Sequence, residues 1–172
     1  QFNKMIKDMD LDGVLICTPN SSHFSIAKYC IEQGLNVFIE KPLTTNYNDS
    51  KDLINLANNN NVNGQVGYVN RFNPIFNYLK KLIYQDVNGE VTIYNNQMIG
   101  GVILKKHDKG WRNDYLKGGG CLFDYGPHCF DLSIYLFGEN VVVQSSILKK
   151  VYSTNVDDSV EATFLHENKI VG

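Results

Sequence analysis

Several features that would announce a function directly are missing from these 172 residues. There is no basic block: 16 Lys and Arg face 18 Asp and Glu, for a formal net charge of −2. The electrostatic case for nucleic acid or an anionic membrane is therefore absent. No apolar run approaches the ~18–20 residues that a membrane span needs. Gln1–Asp10 interrupts its apolar positions with charge, unlike a signal peptide. Cys17, Cys30, Cys121 and Cys129 show neither CxxC spacing nor the density of a small secreted scaffold, so a reduced, cytoplasmic setting is expected. His23, His107, His128 and His166 lack HExxH spacing, and no cysteine pair has zinc-site spacing, so no metal is expected. A GxSxG nucleophile elbow is also missing.

What is present is ordinary globular material. Hydrophobic residues make up 43% and charged residues 20%, enough for a core in one domain or in the larger parts of two. The polar excess is asparagine, with Asn58 to Asn61 in one run, a compositional bias rather than a site. The chain opens inside what reads as the last turns of a helix, FNKMIKDM. It stops at Lys169-Ile170-Val171-Gly172, which reads as a strand in progress. A fragment cut at both sides is the expectation.

Val14–Thr18 and Asn36–Glu40 are short apolar runs of the kind found in parallel strands buried on both faces. Between them Ser21 or Ser22 offers a helix N-cap, Ala27, Cys30 and Ile31 fall at helical spacing, and Gly34 takes the position after the end. Thr45 or Asn46 caps a second helix through Leu53, Leu56 and Ala57, and Gln65–Val69 is a third strand. This βαβαβ order predicts half of a doubly wound parallel sheet with right-handed crossovers. Beyond it, Pro74 opens a helix carrying Phe76, Leu79 and Ile83, and 90–98 alternates like a half-exposed strand. A loop through Gly100-Gly101 and Lys109-Gly110 reaches the triplet Gly118-Gly119-Gly120. Phe123, Pro127, Phe130, Ile134 and Phe137 then mark a buried helix face. Strands near 141–153 and 160–165, expected to be antiparallel, follow.

Ligands of doubly wound sheets sit beyond the carboxyl ends of the strands. There the chain carries Thr18-Pro19-Asn20-Ser21-Ser22-His23 and Glu40-Lys41-Pro42. Lys41 can point a cation into a crevice or be a solvated loop lysine; Asn20 and His23 can face a ligand or be plain cap and first-turn residues. In the second half, Asp124 and His128 are four apart on one expected helix face, with Asp131 one turn further. A carboxylate beside an imidazole orients it and raises its basicity, which suits a general base. The glycines would bring backbone close to a ligand and leave free N–H groups at the helix start. The plain alternative is an acidic first turn and a hydrogen-bonded core histidine, and Pro127 can start or kink the helix. Trp111-Arg112 reads equally as a core anchor with a surface charge or as a pair lining a pocket.

Taken in order, Cys17-Thr18-Pro19-Asn20 with His23, Glu40-Lys41-Pro42, Gly67-Tyr68 with Arg71-Phe72-Asn73-Pro74, Trp111-Arg112, and Gly118-Gly119-Gly120 through Asp124, Gly126, His128, Asp131 and Leu132 resemble the Gfo/Idh/MocA oxidoreductases. The resemblance implies an α/β fold: the C-terminal half of a doubly wound Rossmann sheet (1–70), followed by an incomplete α+β domain with a mostly antiparallel sheet (71–172). It implies NAD or NADP as cofactor, and hydride transfer at a hydroxyl-bearing carbon of a sugar, cyclitol or sugar nucleotide. Lys41, Asp124 and His128 would be catalytic. Thr18, Pro19, Asn20, His23, Glu40, Lys41, Asn70, Trp111 and Arg112 would line the cofactor, with a cis bond at Lys41–Pro42. The family's GxGxxG turn would lie before Gln1, so NAD and NADP are not distinguished here. Further strands would follow Gly172, and the full-length protein would be a homo-oligomer. Two other readings stay open: a dinucleotide-sensing regulator without turnover, and a short partner-dependent module whose open sheet edge needs a partner strand.

Overall fold

The computed structural model describes residues 2–87, 89–100, 110–139, 141–167 and 170–172. Gly101, His107 and Lys109, expected in a loop, lie outside the described residues. The chain forms two compact units, Gln1–Gly67 with Leu116–Gly119, and Tyr68–Tyr115 with Gly120–Gly172.

The first unit is a three-stranded parallel sheet in the order β1 (Gly13–Ile16), β2 (Asn36–Ile39), β3 (Gly64–Val66), with α1 (Phe2–Asp8), α2 (His23–Glu32) and α3 (Tyr47–Asn59). Ile16 pairs with Ile39 and Ile39 with Val66, which puts the strand ends in register. Helix α2 ends as expected: Gly34 takes φ +78°, its N–H reaches the Ile31 carbonyl, and Leu35 N–H reaches that of Cys30. This is a Schellman cap, which places the left-handed residue just past the helix. Asn46 caps α3 by accepting from the N–H groups of Asn48 and Asp49.

Ile16, Val37 and Ile39 join Ile6, Ala27, Cys30, Ile31 and Leu53 in one cluster on one face of the sheet, while Leu15 on the other is 66% exposed. The described helices cover that single face, so side chains at the other parity stay outside it. Neither Ser21 nor Ser22 caps α2 through its side chain. Residues 20–22 form a 3₁₀ turn instead, and Ser22 Oγ donates to the Pro19 carbonyl. Strand β3 stops at Val66, because Val69 and Asn70 enter a second 3₁₀ turn, Val69–Phe72.

In the second unit α4 (Pro74–Tyr84) starts at an Asn73 cap with proline in its first turn. α5 (Cys121–Asp124) and α6 (Gly126–Phe137) follow, then the antiparallel pair β4 (Val141–Lys149) and β5 (Ser159–His166), with a register shift between Val143 and Ser145. The expected strand at 90–98 is reduced to one bridge, Ile93 with Val171, flanked by hydrogen bonds of Thr92 and Tyr94 to Val171. Alternation alone does not make a strand without a partner ladder. The buried residues of α6 are Gly126, Pro127, Asp131, Leu132, Ser133 and Leu136; of the expected stripe Pro127 is among them, and Phe130, Ile134 and Phe137 are not. The rest of the stripe is half-buried and packs edge-on, Phe130 against Phe164 and Phe137 against Tyr94 and His166.

Candidate functional site

In the first unit the carboxyl ends of β1 and β2 lie side by side, and the last link of that ladder is Glu40 N–H to the Ile16 carbonyl at 2.9 Å. Beyond it stand the residues singled out above. Thr18 is exposed, and its hydroxyl lies 2.8 Å from Ser22 Oγ, within hydrogen-bond distance. Pro19 is half-buried. Asn20 is buried and donates from Nδ2 to the Gly118 carbonyl at 2.9 Å. His23 is fully buried, with Nδ1 2.8 Å from the Pro42 carbonyl oxygen and Nε2 2.9 Å from that of Thr18. Glu40 and Lys41 are half-buried, and the Glu40 carboxylate accepts the Lys41 N–H at 3.0 Å. The Lys41–Pro42 bond is cis.

The glycine triplet does not work as the sequence suggests. Gly118 has φ +74°, and a Cβ there would stand 2.6 Å from Thr45 Cγ2 and 2.9 Å from Asn20 Cβ. Gly120 has φ +108°, and its Cβ would fall 2.2 Å from Asp157 Oδ1. Both positions are glycine because of the chain's own packing. The N–H groups at the start of α5 are also taken: Gly120 donates to the Arg112 carbonyl, Cys121 to the Asp157 carbonyl, and Leu122 to the Asp157 carboxylate at 2.7 Å. A remote aspartate thus supplies the cap that was expected to be left for a ligand. Burial, and then the hydrogen bond and charge of Asp157, push the Cys121 thiol up to about 12, which removes it as a nucleophile.

Asp124 and His128 do not share a continuous helix. α5 ends at Asp124 and α6 begins at Gly126, with Pro127 in its first turn, so the break falls between them. Asp124 is buried, and its Oδ2 accepts from Arg112 Nε at 2.9 Å; the Arg112 guanidinium stacks 4.6 Å from the Trp111 ring. Trp111, Arg112 and Asp124 therefore form one cluster within this unit. His128 is half-buried in the first turn of α6. Asp131, one turn further along α6, pairs with Arg71. Both its oxygens accept from Arg71, at 2.9 and 3.1 Å from Nε, and Oδ1 also from Nη2 at 2.7 Å. The Arg71 guanidinium lies over the Tyr135 ring at 5.5 Å. Burial, with the nearby Asp131 charge, raises the Tyr68 hydroxyl above its ordinary value. Asn70 is half-buried in the 3₁₀ turn that also carries Arg71. Sequence reading missed the Arg71–Asp131 fork, whose members are 60 residues apart, although both stood inside the motifs that carried the resemblance. It also missed Asp157, which has no local signal.

Among the described residues no helix is long and apolar enough to cross a membrane, and no group of three or more His, Cys, Asp or Glu could hold a metal ion.

A parallel sheet with polar residues at its strand ends, followed by an α+β unit, is the arrangement of a nucleotide-dependent enzyme class. Residues 1–68 match the oxidoreductase family with an NAD-binding Rossmann fold, and residues 76–172 match the GFO/IDH/MocA C-terminal domain. The chain belongs to the Gfo/Idh/MocA oxidoreductase family. It is 30% identical over 164 residues to oxidoreductase P35 of Formosa agariphila, covering 93% of this chain and 51% of that protein. An NAD-binding protein from Listeria innocua superposes with a TM-score of 0.82 at 28% identity, over 99% of this chain and 50% of that one. The WlbA dehydrogenase of Bordetella pertussis, solved with NADH and UDP-GlcNAcA, shares the fold at a TM-score of 0.87 and 21% identity, over 100% and 50%. The chain thus spans about half the length of each of these relatives.

Proposed function

We propose that the protein, at full length, transfers hydride between NAD or NADP and a hydroxyl-bearing carbon of a sugar, cyclitol or sugar nucleotide. The reading is supported chiefly by family membership across both units, together with the retention of Lys41, Asp124 and His128. The WlbA relative was solved with a sugar nucleotide, which supports that substrate class. Residues up to about 70 would form part of the cofactor-binding domain, and 71–172 part of the substrate and oligomerisation domain, from which Trp111 and Arg112 would also reach the cofactor.

The strand ends fit the nicotinamide end of such a cofactor: Thr18 is exposed there, and Gly67 leaves space against Glu40 that a Cβ, 3.1 Å from Glu40 Oε1, would fill. Thr18, Pro19, Asn20, Glu40, Lys41, Asn70, Trp111 and Arg112 would hold it, and when bound it supplies or accepts the hydride. His128 would take the hydroxyl proton as general base. Lys41 would stabilise the developing alkoxide with its charge. Asp124 would bind near the same hydroxyl, its carboxylate held by Arg112 through Nε. A cytoplasmic homo-oligomer, without nucleic-acid or membrane partners, is the setting this reading assigns.

The test is nicotinamide reduction or oxidation by the full-length protein across sugars, cyclitols and sugar nucleotides with both cofactors. Turnover should fall by about 10²–10⁴-fold in His128→Ala and in Lys41→Ala. Turnover that survives both substitutions refutes the residue assignment. Cofactor binding without turnover on any substrate would favour a dinucleotide sensor instead.

A further inference from the structure

We propose that His23 is a positioning residue for Lys41, donating from both ring nitrogens to hold the ends of two adjacent parallel strands together. The inference rests on the reading of Lys41 given above. His23 opens α2, is 0% exposed, and presents Nδ1 to the Pro42 carbonyl and Nε2 to the Thr18 carbonyl. A carbonyl oxygen has no hydrogen to give, so contacts of 2.8 and 2.9 Å are hydrogen bonds only where the nitrogen carries one. A neutral imidazole has a single N–H. Its bare nitrogen would meet the second carbonyl lone pair to lone pair, in a site that holds the ring away from solvent and leaves that oxygen unsatisfied. The imidazolium satisfies both, and the two short bonds to carbonyl oxygens are what would offset the cost of holding its charge away from solvent.

The location of the two acceptors gives the strut its purpose. Thr18 lies just past the end of β1, and Pro42 directly follows Lys41 past the end of β2. The strand ladder between them closes at Glu40 and Ile16, one residue before Lys41. Pro19 and Pro42 have no N–H with which to extend it. The Lys41 backbone is thus fixed on one side by the Glu40 carboxylate and on the other, through Pro42, by His23. With both nitrogens turned onto backbone and no surface exposed, the ring acts through Lys41 and not as a cofactor contact. The titratable groups on the elements around it are Cys17 after β1, Lys28, Tyr29, Cys30 and Glu32 on α2, Glu40 and Lys41 after β2, and Tyr47, Asp49, Lys51 and Asp52 on α3.

The decisive measurement is a ring ¹⁵N–¹H correlation spectrum of the full-length protein at neutral pH, with His23 assigned by the loss of its signals in His23→Gln. Two protonated nitrogens, both with slowly exchanging protons, are expected. One bare nitrogen overturns the strut, and because this is read on the native protein it does not depend on the variant folding. Positioning is then read from kinetics. His23→Gln should lower kcat by about 10- to 100-fold with cofactor KM nearly unchanged, the signature of a displaced group rather than a lost contact. A raised cofactor KM with kcat intact would make His23 a binding residue and overturn the proposal. Failure of the underlying reading looks different: Lys41→Ala then keeps full turnover while the ring still shows two protons.

Discussion

Eight buried apolar side chains from α1, β1, α2, β2 and α3 form one cluster in the first unit. In the second, the described buried apolar residues are Leu132, Leu136, Val156 and Ile170, and the joints between elements are polar or aromatic: Arg71 with Asp131, Arg112 with Asp124, Asp157 with the start of α5, and Phe130 with Phe164. A core of interchangeable aliphatic groups depends on volume and periodicity, and each member contributes through the area it removes from water. A frame of specific pairs depends on individual partners, and losing one leaves the other unsatisfied. The two units should therefore fail in different ways when single side chains are removed.

The largest effect is expected from Leu53→Ala, which opens a cavity in the aliphatic cluster and should cost about 3 kcal/mol in urea unfolding followed by a probe in the first unit. Arg71→Ala should cost about 2 kcal/mol, read by a probe in the second. It strands Asp131, which is 6% exposed, but Arg71 itself is 41% exposed, so solvent screening reduces the penalty below that of a fully buried pair. If Arg71→Ala were harmless while Leu132→Ala was severe, the contrast between the units would be wrong. Next in size is Asn46→Ala, which removes the α3 cap and should cost about 1 kcal/mol in the first unit.

Acid should distinguish the units as well. His166 is 1% exposed and bonded through Nε2 to Ser133 Oγ at 2.8 Å. Burial holds it below the ordinary histidine value, against an opposing pull from the Gly138 backbone. Below that ordinary value the unfolded chain binds more protons than the folded one. The stabilisation is therefore complete above about pH 6.5 and drains away as pH falls from there toward the folded value. The urea midpoint of the second unit should drop on acidification, and His166→Gln should flatten the dependence.

The smallest effect is local. Partial burial works to raise the Asp158 carboxyl, but hydrogen bonds from Val151, Ser153 and Tyr152 outweigh it and hold the group below its ordinary value. Order in the turn from β4 to β5 is then full above the unfolded carboxylate value and lost as pH falls through the folded one. Amide exchange at 151–153 should accelerate in acid and in Asp158→Asn, while the global midpoint scarcely moves.

The first unit was readable because its signals are local. Val14 to Ile16 and Val37 to Ile39 announce strands, Ala27, Cys30 and Ile31 a helix face, and Asn46 and Gly34 the helix ends. Each is a pattern within a few residues, where backbone geometry repeats. The alternating run at 90–98 shows the limit of such patterns, since its only described ladder partner is Val171. The α5–α6 break was visible only as a proline. The order of motifs pointed to the family without a single long-range contact being known.

The sequence by itself determined the element types of the first unit, the family, and which residue kinds stand at the strand ends and around Asp124 and His128. Periodicity, caps and motif order are properties of neighbouring residues, and so they survive in one dimension. The tertiary structure alone decided that Asp131 answers Arg71, that Asp157 fills the start of α5, that Gly118 and Gly120 make room for Thr45, Asn20 and Asp157, and that His23 faces two carbonyls. These partners are 5 to 98 residues apart. Which distant group satisfies a buried donor or acceptor depends on how the chain folds back, and no pattern of neighbours encodes that choice.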